Sequence, residues 1–564
     1  DSLADKFRHI SDRPVFSMDT DTETIRTALR GQLVAVALDE EGKPLAATRV
    51  QPHGVIDEIY QYDGALGAIW REDGVTLSVW APTAQEVTIT LYDPAEEVEG
   101  TVESEGKEEA EGTEEAEGKE ETPPAYASIA TIDPAEFQPA NGVWRFEGGR
   151  AWNRMLYRLN VTVYHPATGK LENLQVTDPF SVSVTTESGY SRFVDLSDED
   201  VTPEGWNELR KPLPFPTDIN IYEAHLRDFS IIDTSVAPDH RGTYTAFTYT
   251  GASASTRPLS AGMAHLKRLA ESGMTHLHLL PVNDMAFIYE SEAQRFDLWE
   301  PFDRLCVEGV TDQLQAECER YGDTPIWDVF EEWAAADPAT ESIQQIYSAA
   351  DRMESLARRD GFNWGYDPFH FDVPEGSYST NPEGVERIRE FREMVMGLHE
   401  IGLKLVVDVV YNHTSASGLA FNSVLDKVVP WYYHRLNVDS GDVERSTCCD
   451  NTAAEFVMME KLIIDSILFW AKQYKIDAFR FDLMGHHPKS TMQKVQEALA
   501  GLTLEKDGVD GRNVYIYGEG WNFGEVADNR IFDQATQFML GGTGIGNFND
   551  RLRDGIRGGN FAGW

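Results

Sequence analysis

Two changes of hydrophobic pattern along this chain of 564 residues predict its fold class. From about residue 56 to residue 206, apolar and polar residues alternate, which is typical of antiparallel strands with one solvated face. From about residue 207 onward, short apolar runs alternate with amphipathic helical segments, which indicates parallel βα units. The sequence therefore predicts a multidomain protein in which one or more β-sandwich modules precede an incomplete (β/α)8 TIM barrel.

The first predicted domain, residues 1–55, is a small amino-terminal β element built on the apolar run LVAVAL at 33–38. The second, residues 56–206, is a β-sandwich module, since alternate residues of YRLNVTV (157–163) are apolar or aromatic and share one strand face. The glutamate-rich segment 96–124 lies within this module. Because it cannot bury a core and its charges repel one another, we predict a disordered acidic insertion there.

The third predicted domain, residues 207–564, is the first part of a catalytic barrel. Its five predicted strands lie at 217–225, 275–280, 404–409, 476–481 and 514–517. Helices predicted at 264–273, 386–401 and 458–474 precede three of these strands. The stretch 283–371 is too long for an ordinary loop, and we predict that it forms lids over the cleft.

Composition and cysteine usage exclude several functional classes. The formal net charge of -47 would repel nucleic acid and anionic membranes, so neither is an expected partner. The sequence contains no run of about twenty apolar residues that could span a membrane and no spacing typical of a zinc site. We expect Cys306 and Cys318 to form a disulfide, and Cys448 and Cys449 to be two buried thiols.

Two strand ends carry the residues that are most informative about chemistry. In IDAFRFDLMGHH (476–487), Arg480 and Asp482 are two positions apart, so both side chains leave an extended strand on one face. In VYIYGEGWNF (514–523), the next strand ends at Glu519, with Trp521 and Phe523 behind it. Two carboxylates at successive strand ends fit the pair that retaining glycoside hydrolysis requires. The alternative for either segment is a buried strand with a structural ion pair.

A family resemblance rests on these two segments and on LVVDVVYNH (405–413), which precedes them. In this order the three segments resemble the first three signature regions of the α-amylase superfamily of glycoside hydrolases. NWGYDP (363–368) and GTGIG (542–546) resemble the pullulanase and limit dextrinase branch. VWAP (79–82) resembles the starch-binding-like sandwich module that precedes the barrel in debranching enzymes.

The resemblance implies cleavage of α-1,6-glucosidic branch linkages in pullulan, limit dextrins, amylopectin or glycogen, with retention at the anomeric carbon. Asp482 would be the nucleophile, held ionised by Arg480, and Glu519 the proton donor. We therefore expect a lowered pKa for Asp482 and a raised one for Glu519. The substrate-binding candidates are Tyr366, Asp367, Asp408, His413, Trp521, Phe523 and His486.

The resemblance also leaves alternatives open. A noncatalytic α-glucan-binding protein and a dual-specificity amylopullulanase, which also cleaves α-1,4 bonds, fit the same segments. No cofactor is required for the chemistry; structural calcium is compatible with the acidic loops, but its ligands cannot be identified from the sequence. A secreted or cell-surface location is expected from the family.

The chain shows about five of the eight βα units of a complete barrel. The fourth signature region of the superfamily, a His-Asp pair, has no counterpart in it. Because an incomplete barrel leaves open strand edges, we expect an amino-terminal fragment. A second polypeptide or a missing carboxyl-terminal segment would complete the barrel.

Overall fold

The computed structural model describes residues 7–101, 124–252, 257–306, 312–336 and 359–559. The strands of its amino-terminal part are β1 (Val34–Leu38), β2 (Pro44–Arg49), β3 (Gly67–Trp70), β4 (Gly74–Trp80), β5 (Ala84–Thr101), β6 (Pro124–Ile132), β7 (Glu136–Gln138), β8 (Val143–Gly149), β9 (Leu156–His165), β10 (Lys170–Val176) and β11 (Ser191–Arg192).

The remaining strands and the helices follow the predicted order of βα units. The strands are β12 (Ile221–Ala224), β13 (His276–Leu279), β14 (Asn283–Met285), β15 (Pro368–Pro374), β16 (Lys404–Val409), β17 (His413–Thr414), β18 (Asp450–Asn451), β19 (Ala478–Phe481), β20 (Tyr515–Gly518) and β21 (Gly546–Asn547). The helices are α1 (Thr22–Ala28), α2 (His53–Tyr60), α3 (Ala261–Glu271), α4 (Asp312–Tyr321), α5 (Ile326–Ala336), α6 (Glu386–Glu400), α7 (Leu425–Val428), α8 (Val457–Gln473), α9 (Lys489–Ala500) and α10 (Asp550–Arg557). None of these described helices is long and apolar enough to cross a membrane.

Two antiparallel sheets form the sandwich. One has the order β3-β4-β8-β7, and the other has the order β10-β9-β5-β6 with β11 beside β9. Leu77 of the first sheet and Val161 of the second are fully buried in one shared core. Strand β5 continues to Thr101 because its end pairs with β6, so residues 96–101 are strand rather than disordered insertion as predicted. The rest of that insertion, residues 102–123, lies outside the described residues.

A parallel sheet positions the chemistry. Its order is β12-β13-β16-β19-β20-β21, and each neighbouring pair is parallel. Helix α8, which precedes β19, buries Leu462, Ile463 and Trp470 on the face that packs on the main core. The five predicted strands are present. The sixth, β21, was missed because it is only two residues long and its place is set by pairing with β20.

The segment 283–371 begins with strand β14 and ends within strand β15, and its role as a lid stays a prediction. Strand β14 pairs with β15, and all seven residues of β15 are buried, in part against the sandwich. The His370 ring, for example, hydrogen-bonds Thr177 Oγ1 at 2.7 Å. Between these strands, helices α4 and α5 adjoin a second core that includes Phe296, Phe302 and Ile326.

The four cysteines form two pairs. Cys306 and Cys318 are bonded across the second core, as predicted. Cys448 and Cys449 are also joined, so the prediction of two buried thiols is wrong. Cys448 is exposed and Cys449 is half-buried.

Candidate active site

Arg480 lies among three carboxylates at the carboxyl ends of β16, β19 and β20. Its Nη1 donates to Asp408 Oδ1 at 2.8 Å and to Asp482 Oδ1 at 2.9 Å. Its Nη2 lies 2.8 Å from Glu519 Oε1. The sheet register creates this arrangement, since Asp408 is directly opposite Arg480 and Glu519 follows the strand residue opposite Phe481. The structure thus brings together the three residues predicted to be catalytic.

Two of the three carboxylates of this cluster are partly accessible. The side chain of Asp482 is 10% exposed and that of Glu519 is 22% exposed, whereas Asp408 is fully buried. Asn412 Nδ2 donates to Asp482 Oδ2 at 2.8 Å, so Asp482 accepts hydrogen bonds from two sides. The second donor was missed from the sequence, although Asn412 lies inside the LVVDVVYNH segment.

The pKa of Asp482 is raised, so the expected lowering is wrong. Burial raises this pKa most, the Asp408 charge raises it further, and Arg480 opposes both only in part. Arg480 opposes burial only in part because the same guanidinium also pairs with Asp408 and Glu519. Burial also raises the pKa of Glu519, against the opposing effect of Arg480, and this is the expected direction for a proton donor.

Tyr366 and His413 flank the carboxylate cluster. The Tyr366 hydroxyl donates to Asp408 Oδ2 at 2.8 Å, and its ring faces the Arg480 guanidinium at 5.6 Å. His413 Nε2 lies 2.8 Å from the Tyr366 carbonyl oxygen, and its Nδ1 lies 2.5 Å from Asn412 Oδ1. Burial is the largest influence on the His413 ring and lowers its pKa. These contacts hold Tyr366, Asp408 and His413, three of the predicted sugar-binding residues, close to one another beside the cluster.

Asp367 contacts the protein rather than the cluster. Its Oδ2 accepts the Phe287 backbone N–H at 2.6 Å and Asn363 Nδ2 at 3.2 Å. Burial raises the pKa of Asp367 to about 6. The Asp367 carboxylate therefore holds the NWGYDP segment against the residues that follow β14. Its expected contact with substrate stays a prediction.

The aromatic pair behind Glu519 lies beside His486. The Phe523 ring packs against the His486 ring at a centroid distance of 4.6 Å. His486 is only 1% exposed, and burial lowers its pKa to about 4, so the ring is neutral near pH 7. The Trp521 backbone leaves no room for a side chain at Gly485, so the loops after β19 and β20 touch there. Binding roles for these aromatic residues stay predictions.

His278 was missed as a member of the site. Its Nε2 lies 3.3 Å from Asp408 Oδ2, and its Nδ1 lies 3.2 Å from Glu223 Oε2. Burial lowers the pKa of His278, but the contacts with Asp408 and Glu223 raise it by more, so this pKa is above its usual value. A polar residue alternating with leucines in a buried strand was the available signal.

In each of two groups of described side chains, three residues of metal-ligating type bring their ligand atoms within 4.8 Å of one another. The first is His413 with Cys448 and Cys449, whose sulfurs are bonded to each other. The second is Asp284, Glu290 and Glu375, where Arg387 Nη1 binds Glu290 at 2.9 Å and His370 binds Asp284 at 2.6 Å. Because the Arg387 guanidinium already occupies Glu290 and the His370 ring occupies Asp284, we assign no calcium ligands to the second group.

Comparison with known proteins tests the family resemblance. Models of the pullulanase N2 domain and of carbohydrate-binding module 48 (isoamylase N-terminal domain) match residues 1–58 and 65–109. Pullulanase 1, chloroplastic, from Arabidopsis thaliana is 40% identical over 563 residues, which are 99% of this chain and 50% of that protein. Over nearly its whole length, the chain is therefore similar to pullulanases. This confirms the resemblance on which the site assignment was based.

Other pullulanases show the same extent of similarity. The pullulanase of Klebsiella pneumoniae is 38% identical over 98% of this chain and 47% of its own length. The crystal structure of the apo enzyme from that organism matches with a TM-score of 0.83 at 36% identity, over 99% of this chain and 55% of that one. A Paenibacillus barengoltzii pullulanase mutant complexed with maltotriose matches with a TM-score of 0.61 at 28% identity, over 89% of this chain and 60% of that one. The chain spans about half the length of the curated relatives that it matches.

Proposed function

We propose that this chain supplies the catalytic carboxylates of a retaining debranching hydrolase that cleaves α-1,6-glucosidic linkages in branched α-glucans. Pullulan, limit dextrins, amylopectin and glycogen are the substrate candidates. The single observation that carries the proposal is the guanidinium of Arg480, which contacts both Asp482 and Glu519 at the ends of neighbouring strands. Two partly exposed carboxylates held apart by one cation suit a reaction that takes place between them.

In the first step, Asp482 attacks the anomeric carbon while Glu519 donates its proton to the glycosidic oxygen. The glycosidic bond breaks, the leaving glucan departs as an alcohol, and a glycosyl ester forms on Asp482. In the second step, Glu519 takes a proton from water, the water oxygen attacks the same carbon, and the ester bond breaks. Retaining enzymes of this type hold the two carboxyl groups about 5 Å apart.

The hydrogen bonds of the site support this division of roles. Asp482 accepts from Arg480 and Asn412, and both bonds stabilise the ionised form that must attack. Glu519 accepts the Leu483 backbone N–H at 3.3 Å and is the more exposed carboxylate, so it can exchange protons with a leaving group or water. Tyr366, Asp408 and His413 would contact the sugar at the cleaved bond.

The parallel sheet is proposed to be the first part of a (β/α)8 barrel, and activity then requires the remaining strands. Six parallel strands with β12 and β21 at its two ends leave room for such a continuation. A carboxyl-terminal segment or a second polypeptide would supply it. The domain bounds 1–55, 56–206 and 207–564 remain part of this proposal.

Digestion of pullulan tests the proposal. With the barrel complete, we expect maltotriose as the product, and we expect Asp482→Asn and Glu519→Gln each to abolish turnover while glucan binding persists. Glu497→Gln, an exposed glutamate of α9, is the matched control and should turn over like the unmodified protein. Undiminished turnover in either catalytic variant would remove the assignment.

The same assay separates the alternatives. Panose-type products would indicate α-1,4 cleavage and a dual-specificity enzyme. Glucan binding without any turnover in the complete protein would indicate a noncatalytic glucan-binding protein. The match to carbohydrate-binding module 48 at residues 65–109 is compatible with that function.

Location and calcium remain expectations. A secreted or cell-surface location was expected from the family, but the Arabidopsis relative is named chloroplastic, so the names of relatives do not point to one compartment. Structural calcium has no identified ligands, and no step of the mechanism depends on it.

A further inference from the structure

A cavity of about 720 Å³ lies between the sandwich and helix α8, and none of the catalytic carboxylates lines it. Its walls come from β3, the segment 194–210, helix α8 and the loop at 506–507. Lys475, which lines it, precedes β19 at the end opposite Asp482. A volume of several hundred cubic ångströms is the size of a small-molecule site.

Cations without carboxylate partners surround this cavity. They are Arg210, Arg392, Lys472, Lys475 and Lys506. Within the described part of the chain, none of the five has a carboxylate oxygen at ion-pair distance, although the whole chain carries a net charge of -47. Such a concentration of uncompensated positive charge on so acidic a protein favours an anionic ligand.

Five acidic residues also line the cavity, namely Asp63, Asp195, Asp372, Asp465 and Asp507, and two of them are paired with cations. Asp195 pairs with Arg150 at 2.7 Å, and Asp465 pairs with Lys461 at 2.6 Å. Asp372 accepts a hydrogen bond from a serine, and burial raises its pKa to about 7, which weakens its negative charge near neutral pH. With Lys461 included, the lining holds six cations against these five carboxylates, so the excess of positive charge is small and is concentrated around Lys475 and Arg210.

Lys475 is the cation that is best placed to bind an anion. It is only 8% exposed, and its Nζ contacts the Leu209 carbonyl oxygen at 3.1 Å and faces the Trp206 ring at 5.4 Å. Burial, with the neighbouring Arg210 and Arg392 charges, lowers its pKa to about 8, so it is still charged near pH 7. A buried ammonium without a counterion is costly, and a bound anion would remove that cost.

Arg210 adjoins Lys475 at the same place. Gly508 has a φ of +70° and packs against both Lys475 Nζ and Arg210 Nη1, so the two cationic groups converge on one glycine. A side chain at this position would collide with them. Phe180, Leu468 and Phe469 supply an apolar wall to the same cavity, which suits an organic body better than a bare ion.

We propose that this cavity binds a small phosphate-bearing metabolite, a sugar phosphate or inorganic phosphate, through Lys475, Arg210 and Lys506. Phosphate accepts several charge-assisted hydrogen bonds, which lysine and arginine donate. Since the ligand would contact the sandwich as well as α8, its binding should stabilise the packing of the two. The site uses none of the catalytic residues, so it stands or falls independently of the hydrolase.

Calorimetric titration of the chain at constant ionic strength tests the proposal, with glucose 1-phosphate, inorganic phosphate and glucose as probes. We expect saturable one-site binding of the two phosphates and none of glucose. Tighter binding of the ester would identify a sugar phosphate as the ligand, and equal affinities would identify inorganic phosphate; both support the site.

Three variants sharpen this test. We expect Lys475→Gln to weaken phosphate binding at least about tenfold, as loss of a charged hydrogen bond implies. Should that variant fail to fold, a double variant can replace it. Lys472 and Lys506 are both exposed, so Lys472→Gln combined with Lys506→Gln leaves the core unchanged and should weaken phosphate binding severalfold. Lys494→Gln, an exposed lysine of α9 outside the cavity, should bind like the unmodified protein.

Three results would overturn the proposal. One is the absence of saturable phosphate binding at millimolar concentrations. Another is equal weakening by Lys494→Gln and by the cavity variants, which would indicate nonspecific charge attraction. The third is competition between maltotriose and phosphate, which would place the phosphate in the catalytic cleft.

Discussion

Arg480 is the side chain on which the carboxylate cluster depends, because it is the shared cation of Asp408, Asp482 and Glu519. We expect Arg480→Ala to lower the free energy of unfolding at pH 7 by about 3–5 kcal/mol, the usual effect of removing one partner of a buried ion pair. The loss should shrink at pH 5, where carboxylates with raised pKa values take up protons. Urea unfolding at both pH values measures this.

The matched control for this experiment is Arg553→Ala, which removes an exposed, solvent-screened ion pair of α10 and should lower the free energy of unfolding far less than Arg480→Ala does. Arg480→Lys should restore only part of the stability, since an ammonium cannot donate to several carboxylates in one plane. A loss for Arg480→Ala that is no larger than the control, or equal at both pH values, would contradict the role given to Arg480.

His487 is a second residue with a measurable consequence. It is fully buried, and burial first, then the His486 and Arg435 charges, lower its pKa to about 3. A lowered folded-state pKa means that its contribution to stability is complete above the unfolded-state value of about 6.5 and is lost as the pH falls toward 3. As the pH falls from about 6.5 to about 4, we expect the free energy of unfolding of His487→Gln to decrease by on the order of 3 kcal/mol less than that of the unmodified protein.

Urea unfolding at a series of pH values checks this difference, and His265→Gln, a change of an exposed histidine, should keep the original pH dependence. The same pH dependence in His487→Gln and the unmodified protein would show that His487 already takes up its proton in the folded state.

Residue identities were easier to predict than residue environments. The sequence predicted that Arg480, Asp482 and Glu519 meet, because strand ends of parallel βα units lie at one edge. It did not predict that the pKa of Asp482 rises, since that depends on burial and on sharing Arg480 with Asp408. The contacts of Asp367 with backbone and those of Asn412 with Asp482 are likewise set by tertiary packing.

At the level of elements, long and regular segments were predicted closely. The helix predicted at 458–474 is Val457–Gln473, and the strand predicted at 404–409 is Lys404–Val409. Strand β15 was not predicted because its first residues lie inside the stretch 283–371, which was interpreted as a lid from its length alone. Local periodicity identifies an element, but partners elsewhere in the chain decide what it packs against.

The second core between β14 and β15 depends on the disulfide Cys306–Cys318, which joins α4 to the segment before it. A loop of this size is typically stabilised by about 2–3 kcal/mol through its crosslink. We expect Cys306→Ser to increase limited proteolysis within 296–336 while the strands of the parallel sheet stay protected. Cys448→Ser is the control, and cleavage that is no faster in Cys306→Ser than in the control would contradict this.

For the molecule as a whole, the net charge of -47 predicts a strong dependence of stability on salt. Raising sodium chloride from about 0.1 M to about 1 M shortens the screening length from about 10 Å to about 3 Å, which weakens repulsion among carboxylates. We expect the midpoint of urea unfolding to rise, and the rise to shrink near pH 4 as carboxylates protonate. A midpoint that falls or stays constant with salt would contradict this.

The division of roles between Asp482 and Glu519 can be tested most directly by trapping the covalent intermediate. A fluorinated α-glycosyl fluoride slows both steps of a retaining mechanism, so the glycosyl ester accumulates and can be located by peptide mass spectrometry. We predict labelling of Asp482 alone in the complete protein. A label on another residue, or turnover with inversion at the anomeric carbon and no label at all, would contradict it.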